Sequence, residues 1–317
     1  MSLRTKALIS VIIGNSIFGF SFLFSKVALQ ITVPSVLLAA RFLTAFALLN
    51  IIVIFGRLLR KKDGEPLVRF SLKGKPLKNI LLLALFQPII YFMAESYGIK
   101  FTSSAFAGTI IAVIPIMGLI FDVIIMRAVV SWKQIICALA SVAGVVVTTL
   151  GAEGMRSSVL GVMILMAAVI AGALFYVFSK KAGEHFNPLE RTYVMFGAGS
   201  VVYICFALIE CAGDYDELII NAVSMPEFWG CIIYLAAASS VIAFIALNFG
   251  SSHVSVSEAS LFANLTTVIS IIAGVVVLHE SFTLQQVAGA VIIIASVYIS
   301  STDPNTISKE ENEKQNQ

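Results

Sequence analysis

Three charged residues stand inside otherwise apolar runs of this chain: Lys26, Arg41 and Glu95. A charged side chain at the centre of a membrane-spanning helix costs about 2.5–3.5 kcal/mol on insertion scales, so such groups face partners or water. Measured from the middle of their runs at 1.5 Å per residue, they lie ~11, ~6 and ~9 Å toward one side of the membrane. Together they can hold a substrate carboxylate or carry a coupling proton. Arg41 suits the first task best, because its planar fork grips a carboxylate through two hydrogen bonds. The same residues also fit a structural salt bridge of Glu95 with Arg41 or Lys26, with the lysine extending to the membrane surface.

Polar residues at helical spacing add a second signal. Gln87, Tyr91 and Glu95 recur every four residues and form one stripe, which must face protein or a cavity rather than lipid. Ser240, Phe244 and Asn248 repeat the pattern later in the chain, Asn15, Phe22 and Lys26 share nearly one face of the first run, and Asn264 sits within another. Polar groups mixed with Phe and Tyr suit a pocket for an amphipathic metabolite. For the asparagines taken singly, interhelical hydrogen bonding, at about 0.6 kcal/mol each, explains the same residues.

Other chemistries find no support. His279-Glu280 has no partners for a metal site in a chain with 3 histidines, and the 4 cysteines (Cys137, Cys205, Cys211, Cys231) lack metal spacing and read as apolar packers. Neither a nucleophile–base pair, a GxxxxGK[ST] loop nor a nucleic-acid module is apparent, so no cofactor, direct ATP drive or enzyme activity is expected. Asn264-Leu265-Thr266 fits a glycosylation pattern but falls within an apolar run. Asp122, Glu258 and Glu280 lie near run ends, where interfacial solvation is the simpler role, and Glu258 can also cap a first turn.

The elements that must position these residues are helices in a bilayer. Of 317 residues, 59% are hydrophobic and 12% charged, against about 25% charged in soluble domains. The apolar residues fall in runs of about 20, the length that crosses ~30 Å of hydrocarbon as helix. Ten spans are predicted: 7–30, 35–55, 79–99, 103–126, 132–150, 159–179, 189–211, 228–249, 255–278 and 284–301. The first is read as a retained helix, because residues 1–6 are too short for a signal-peptide n-region and no cleavage site follows. Pro88 and Pro115 fall mid-span and predict kinks or hinges, while glycines such as Gly118, Gly144 and Gly289 predict close helix packing.

The chain is also duplicated. Residues 235–301 align without a gap on residues 83–149 at an offset of 152, pairing Phe92 with Phe244, Gly98 with Gly250 and Gln134 with Gln286. Upstream, Phe24-Ser25-Lys26 meets Phe178-Ser179-Lys180 and Pro34 meets Pro188 at an offset of 154. This divides the chain into residues 1–151, residues 152–302 and a polar tail, 303–317, expected to be disordered. Five spans per copy is odd, so the second copy must enter the membrane inverted, an arrangement that places a site near the midplane between the halves.

With the N-terminus in the cytoplasm, nearly all basic residues fall inside: Arg4, Lys6, the 57–78 loop, Arg127, Lys133, Lys180, Lys181, Arg191, Lys309 and Lys314. Only Lys100 and Arg156 fall outside, with the acidic 214–227 loop. The expected location is the plasma (inner) membrane, multi-pass, with both termini cytoplasmic. The basic 57–78 loop reads as a topology determinant that can also meet anionic headgroups.

These features resemble the EamA family of the drug/metabolite transporter superfamily. The resemblance rests on 17–26 (IFGFSFLFSK), Pro34, Ala40-Arg41-Phe42, the small-residue run from Ala105 to Pro115, Glu258-Ala259-Ser260-Leu261, Leu278 to Thr283 and Gln286 to Gly289, and it covers residues 7–301. The chain departs from the pattern at Arg127-Ala128, where the family has a glutamate, at Thr267, where it has a proline, and at Met195, opposite Arg41 in the second copy. The resemblance implies an all-α membrane protein of ten helices in two five-helix inverted repeats. It implies transport of an amino-acid-like, nucleobase-like or drug-like compound.

The expected function is a secondary carrier working by alternating access, and the resemblance implies an exporter of amino-acid-like or drug-like compounds. Arg41, with Lys26, would hold the anionic part of a substrate, and Gln87, Tyr91, Asn248 and Asn264 would read the rest. Glu95 would balance charge or couple a proton or ion. The alternative is a flippase for a lipid-linked intermediate. A membrane enzyme or receptor is the third reading, disfavoured by the missing catalytic groups and output domain. The expected partners are a small molecule and the bilayer, without nucleic acid.

Overall fold

The computed structural model describes residues 2–59, 67–101, 107, 110–149, 158–278 and 284–301. The side chains of Phe22 and Lys26, residues His279 and Glu280, Arg156, and the 303–317 tail lie outside the described residues.

The described residues form helices and no strands. In chain order these are α1 (Leu3–Ala28), α2 (Pro34–Leu58), α3 (Lys78–Gly98), α4 (Ile114–Met126), α5 (Trp132–Thr149), α6 (Val159–Gly183), α7 (Pro188–Glu210) and α8 (Pro226–Ser251). Next comes α9, built from Val256–Leu261, a 3-10 turn at Phe262–Asn264 and Leu265–Leu278, and finally α10 (Leu284–Ser301). Of these, α1, α2, α3, α6, α7 and α8 are long and apolar enough to cross a membrane, and α4, α5 and α10 carry shorter apolar stretches. Helix starts follow local chemistry. Pro34 and Pro188 occupy first-turn positions that need no N–H donor, and Asn187 and Glu190 form a reciprocal capping box at the start of α7.

The packing exposes the duplication. Helix α2 packs on its counterpart α7, α5 on α10, and α4 on α9, while α1 packs on α8 and α9 as α6 packs on α3 and α4. Exchanging the halves therefore maps these pairings onto themselves. Each counterpart pair runs antiparallel. Along α2, Phe42 meets Tyr203 at 5.5 Å and Phe46 meets Tyr193 at 4.9 Å between ring centroids, and the Tyr193 hydroxyl donates to Asn50 Oδ1 at 2.9 Å. Along α4 and the turn before it, Ala112 meets Asn264 and Asp122 meets Ser257. Equivalent helices that run in opposite directions establish the inverted relation expected from an odd helix number.

The small residues act as contact points. At Gly118 an added Cβ would fall 2.2 Å from Ser260 Oγ and 2.7 Å from Ser260 Cβ, so α4 and α9 touch only because Gly118 has no side chain. Gly118→Ala should push the halves apart at a counterpart contact and lower stability by about 1–3 kcal/mol, the usual cost of overpacking. Thermal unfolding in detergent, with Gly230→Ala as the unobstructed control, measures it.

The two prolines behave differently. Pro88 interrupts α3: the residue before a proline is pushed out of the helical region, and Gln87 has φ −147 and ψ 122. Pro115 instead sits in the first turn of α4, just after a turn at 112–113, and starts a helical piece rather than kinking one. The loop after α2 folds back onto the protein. Ser71 N–H and Lys75 Nζ donate to the Glu190 carboxylate at 2.7 and 2.6 Å, and Asn187 Nδ2 donates to the Arg69 carbonyl at 2.9 Å, so this part of the loop straps the start of α7.

Candidate functional site

The break in α3 faces α7, where the Tyr203 hydroxyl donates to the Pro88 and Ile89 carbonyls at 3.0 and 2.8 Å, oxygens that the interrupted helix leaves available. At an offset of 152, Gln87 and Pro88 correspond to Ser239 and Ser240, which lie in a widened helical stretch of α8, 234–242. Their partner comes from α2, the counterpart of α7. Arg41 Nε donates to Ser240 Oγ and Nη2 to Ser239 Oγ, each at 2.9 Å. In each half an irregular helix is thus braced by a side chain from the other half, by a tyrosine on one side and by a cation on the other.

Arg41 is 4% exposed. Its guanidinium carbon lies 4.7 Å from the Phe92 ring centroid and 5.4 Å from that of Phe42, within cation–π range. The sequence allowed an Arg41–Glu95 salt bridge. Among the described residues no such pair forms: the Glu95 carboxylate accepts from the Tyr91 hydroxyl at 3.0 Å instead. Nη1 of Arg41 makes no hydrogen bond to a described residue and is not among the sealed, unpartnered atoms of the core. The Gln87 side chain is likewise buried without a hydrogen bond to a described residue. Arg41, Tyr91 and Glu95 therefore form a polar group with spare hydrogen-bonding capacity, and Gln87 adds a buried amide at the break in α3. Tyr176 on α6, 5% exposed, stands one turn from Gly172, where that helix abuts the Tyr91 ring, and belongs with them. Sequence reasoning passed over it, although a lone phenol in an apolar helix is a detectable signal, since a buried tyrosine hydroxyl usually seeks a partner.

The remaining candidates are placed elsewhere or are already engaged. Asn248 is fully buried: Oδ1 accepts from Ser179 Oγ at 2.8 Å, and Nδ2 donates to Thr192 Oγ1 at 3.1 Å. Asn264 Nδ2 donates to Ser141 Oγ at 3.0 Å and to the carbonyl of Ala112, its own repeat counterpart, at 3.3 Å. Asn15 Nδ2 donates to the Val11 carbonyl at 2.9 Å, and its Oδ1 accepts from Thr266 Oγ1 at 3.4 Å. Phe244 is fully buried beneath the polar group, with Phe18, Phe196 and Phe175 edge-on at 5.1, 5.2 and 5.8 Å. Phe22 and Lys26 lie on α1, their side chains outside the described residues.

At the end of the bundle bearing the 67–78 strap, buried charges bind helix ends. Arg4 pairs with Glu258 at 2.7 Å, and Asp122, read from the sequence as an interfacial group, is 1% exposed and accepts from Ser257 N–H at 2.9 Å, at the positive end of α9. Arg191, counted from the sequence only as a basic residue of that side, is 1% exposed. It donates to the Ser179 carbonyl near the end of α6, to the Asn248 carbonyl near the end of α8 at 2.6 Å and to Ser252 Oγ at 2.7 Å. Two negative helix ends thus hold one cation.

The EamA-like transporter family matches residues 5–150 and 159–302, once over each half. The chain is 32% identical over 298 residues to the uncharacterized transporter YcxC of Bacillus subtilis (strain 168), covering 93% of this chain and 92% of that protein. It is 24% identical over 284 residues to an uncharacterized transporter of Archaeoglobus fulgidus, covering 89% of this chain and 93% of that one. A solved crystal structure, 18% identical, superposes with a TM-score of 0.71 over 92% of this chain and 96% of its own, which supports the fold. With both halves matched and the inverted pairing in place, the chain belongs to the EamA-like transporter family and is a multi-pass membrane transporter.

Proposed function

We propose that this transporter is a secondary carrier of small anionic or zwitterionic metabolites of amino-acid type, exporting them by alternating access across the plasma membrane, with both termini cytoplasmic. The observation that carries the reading is Arg41, a buried cation with no carboxylate pair among the described residues and one nitrogen left unengaged. A substrate carboxylate supplies the missing partner. Gln87, Tyr91 and Tyr176 offer groups to the rest of the molecule, and Glu95 balances charge or carries the coupling proton. Asn248, Asn264, Asn15 and Phe244 then serve the scaffold. The buried networks of Arg4, Asp122 and Arg191 at the strapped end fit a carrier closed on that side. Rocking of the inverted halves about the site would open it.

The test is flux in liposomes with purified protein, screening labelled amino acids and related acids with and without a pH gradient. Wild type should carry at least one carboxylate-bearing solute. Glu95→Gln keeps the shape and the Tyr91 contact but cannot bind and release a proton, so gradient-driven uptake should fall to the rate seen without a gradient while exchange at equal pH persists. Undiminished gradient drive in Glu95→Gln would remove Glu95 from coupling. Redistribution of a lipid-linked probe, with no water-soluble solute carried, would favour the flippase.

A further inference from the structure

A second feature lies on the far face of α3. Tyr91 and Glu95 mark one face of this helix, while Ile90, Met93, Ala94 and Tyr97 mark another. With Ala167 of α6 and Phe206 and Ile209 of α7, that other face walls a groove of about 610 Å³. It extends ~10 Å along α3, from the seven-residue step between Ile90 and Tyr97 at 1.5 Å per residue. It opens outward, since Ile209 is 74% and Phe206 37% exposed. One end differs in chemistry from the rest. Glu210 accepts a hydrogen bond from the Tyr97 hydroxyl, and the Tyr97 and Phe206 rings stand edge-to-face beside it, 6.2 Å apart.

The geometry points to a lateral binding site for a lipophilic alkylammonium, its chain in the trough and its cation against Glu210 and the Tyr97–Phe206 pair. Several observations select the charge. The carboxylate sits at the C-terminal end of α7, where the backbone is itself partially negative. The following stretch holds Asp214, Asp216, Glu217 and Glu227 and no lysine or arginine through residue 227. Aromatic faces attract ammonium groups. Among the described residues the groove lining holds one carboxylate and no lysine or arginine, so it offers a counter-charge to a cation and none to a phosphate. The site shares no lining residue with the Arg41 group, and the inference does not rest on the carrier reading above.

The test is equilibrium binding of labelled decyltrimethylammonium to the full chain in phosphatidylcholine nanodiscs, with empty nanodiscs, decanol and decyl sulfate as references. Saturable binding above empty nanodiscs is expected, weakened about tenfold by Glu210→Gln, in line with losing one charge-assisted contact. A comparable loss is expected for Ala167→Phe, which fills the trough without touching the carboxylate, and no change for Arg41→Ala. Monodispersity of each variant confirms folding. Binding no greater than in empty nanodiscs, equal binding of decanol or decyl sulfate, or indifference to both groove variants would overturn the proposal. Loss of carboxylate transport in Arg41→Ala with the ammonium still bound would leave it intact.

Discussion

Replacing Arg41 by alanine should abolish measurable transport of a carboxylate-bearing solute while leaving a folded protein. Two charge-assisted hydrogen bonds to a substrate in a water-poor site are worth about 1.5–3 kcal/mol each, so losing both lowers affinity by at least about 10²-fold. The variant should nevertheless fold. Arg41 contacts two serine hydroxyls and two aromatic rings, and among the described residues no acid is left unpaired when it goes. Ser239 and Ser240 lie in a helix, where freed hydroxyls can turn back to the carbonyl four residues earlier. Arg41→Lys keeps the charge but not the fork, and should fall between wild type and Arg41→Ala. The measurement is initial uptake into liposomes at equal incorporated, monodisperse protein. Wild-type uptake in Arg41→Ala would assign the residue to bracing α8 and nothing more.

Arg191→Ala should give the opposite result, with loss of folded protein before any question of activity. This guanidinium is 1% exposed, and its main acceptors are the Ser179 and Asn248 carbonyls and Ser252. Main-chain oxygens near helix ends cannot turn away to find other donors, so removing the cation strands them where water is scarce. Breaking a buried charge network of this kind costs about 3–5 kcal/mol, a large share of a folding free energy of about 5–15 kcal/mol. The expected readout is a sharp fall in monodisperse yield and in detergent melting temperature. Arg191→Lys should recover part of it, because one ammonium can reach one carbonyl but cannot bridge two helix ends. A melting temperature within a degree or two of wild type would show that water enters this region and replaces the cation.

Both arginines lie near the start of the second helix of their half, and their surroundings in the folded chain separate them by role: hydroxyls and aromatic rings around Arg41, main-chain carbonyls of two helix ends around Arg191. Composition and run length determined that the chain is a helical membrane protein, because 12% charge cannot cover a soluble surface and runs of this length match the bilayer. The repeat and the odd number of runs per copy determined the inversion, which the antiparallel α2/α7 and α4/α9 pairs display. The Tyr91–Glu95 contact was legible because i, i+4 neighbours share a helix face. The partners of Arg41, the burial of Arg191, Asp122 and Tyr176, and the scaffold bonds of Asn248 and Asn264 were decided only in the tertiary structure. Spacing orders residues around one helix axis, but the rotation of that helix against its neighbours comes from contacts between residues more than a hundred positions apart. The same asparagine is a ligand group or a structural bolt according to what that rotation brings opposite it.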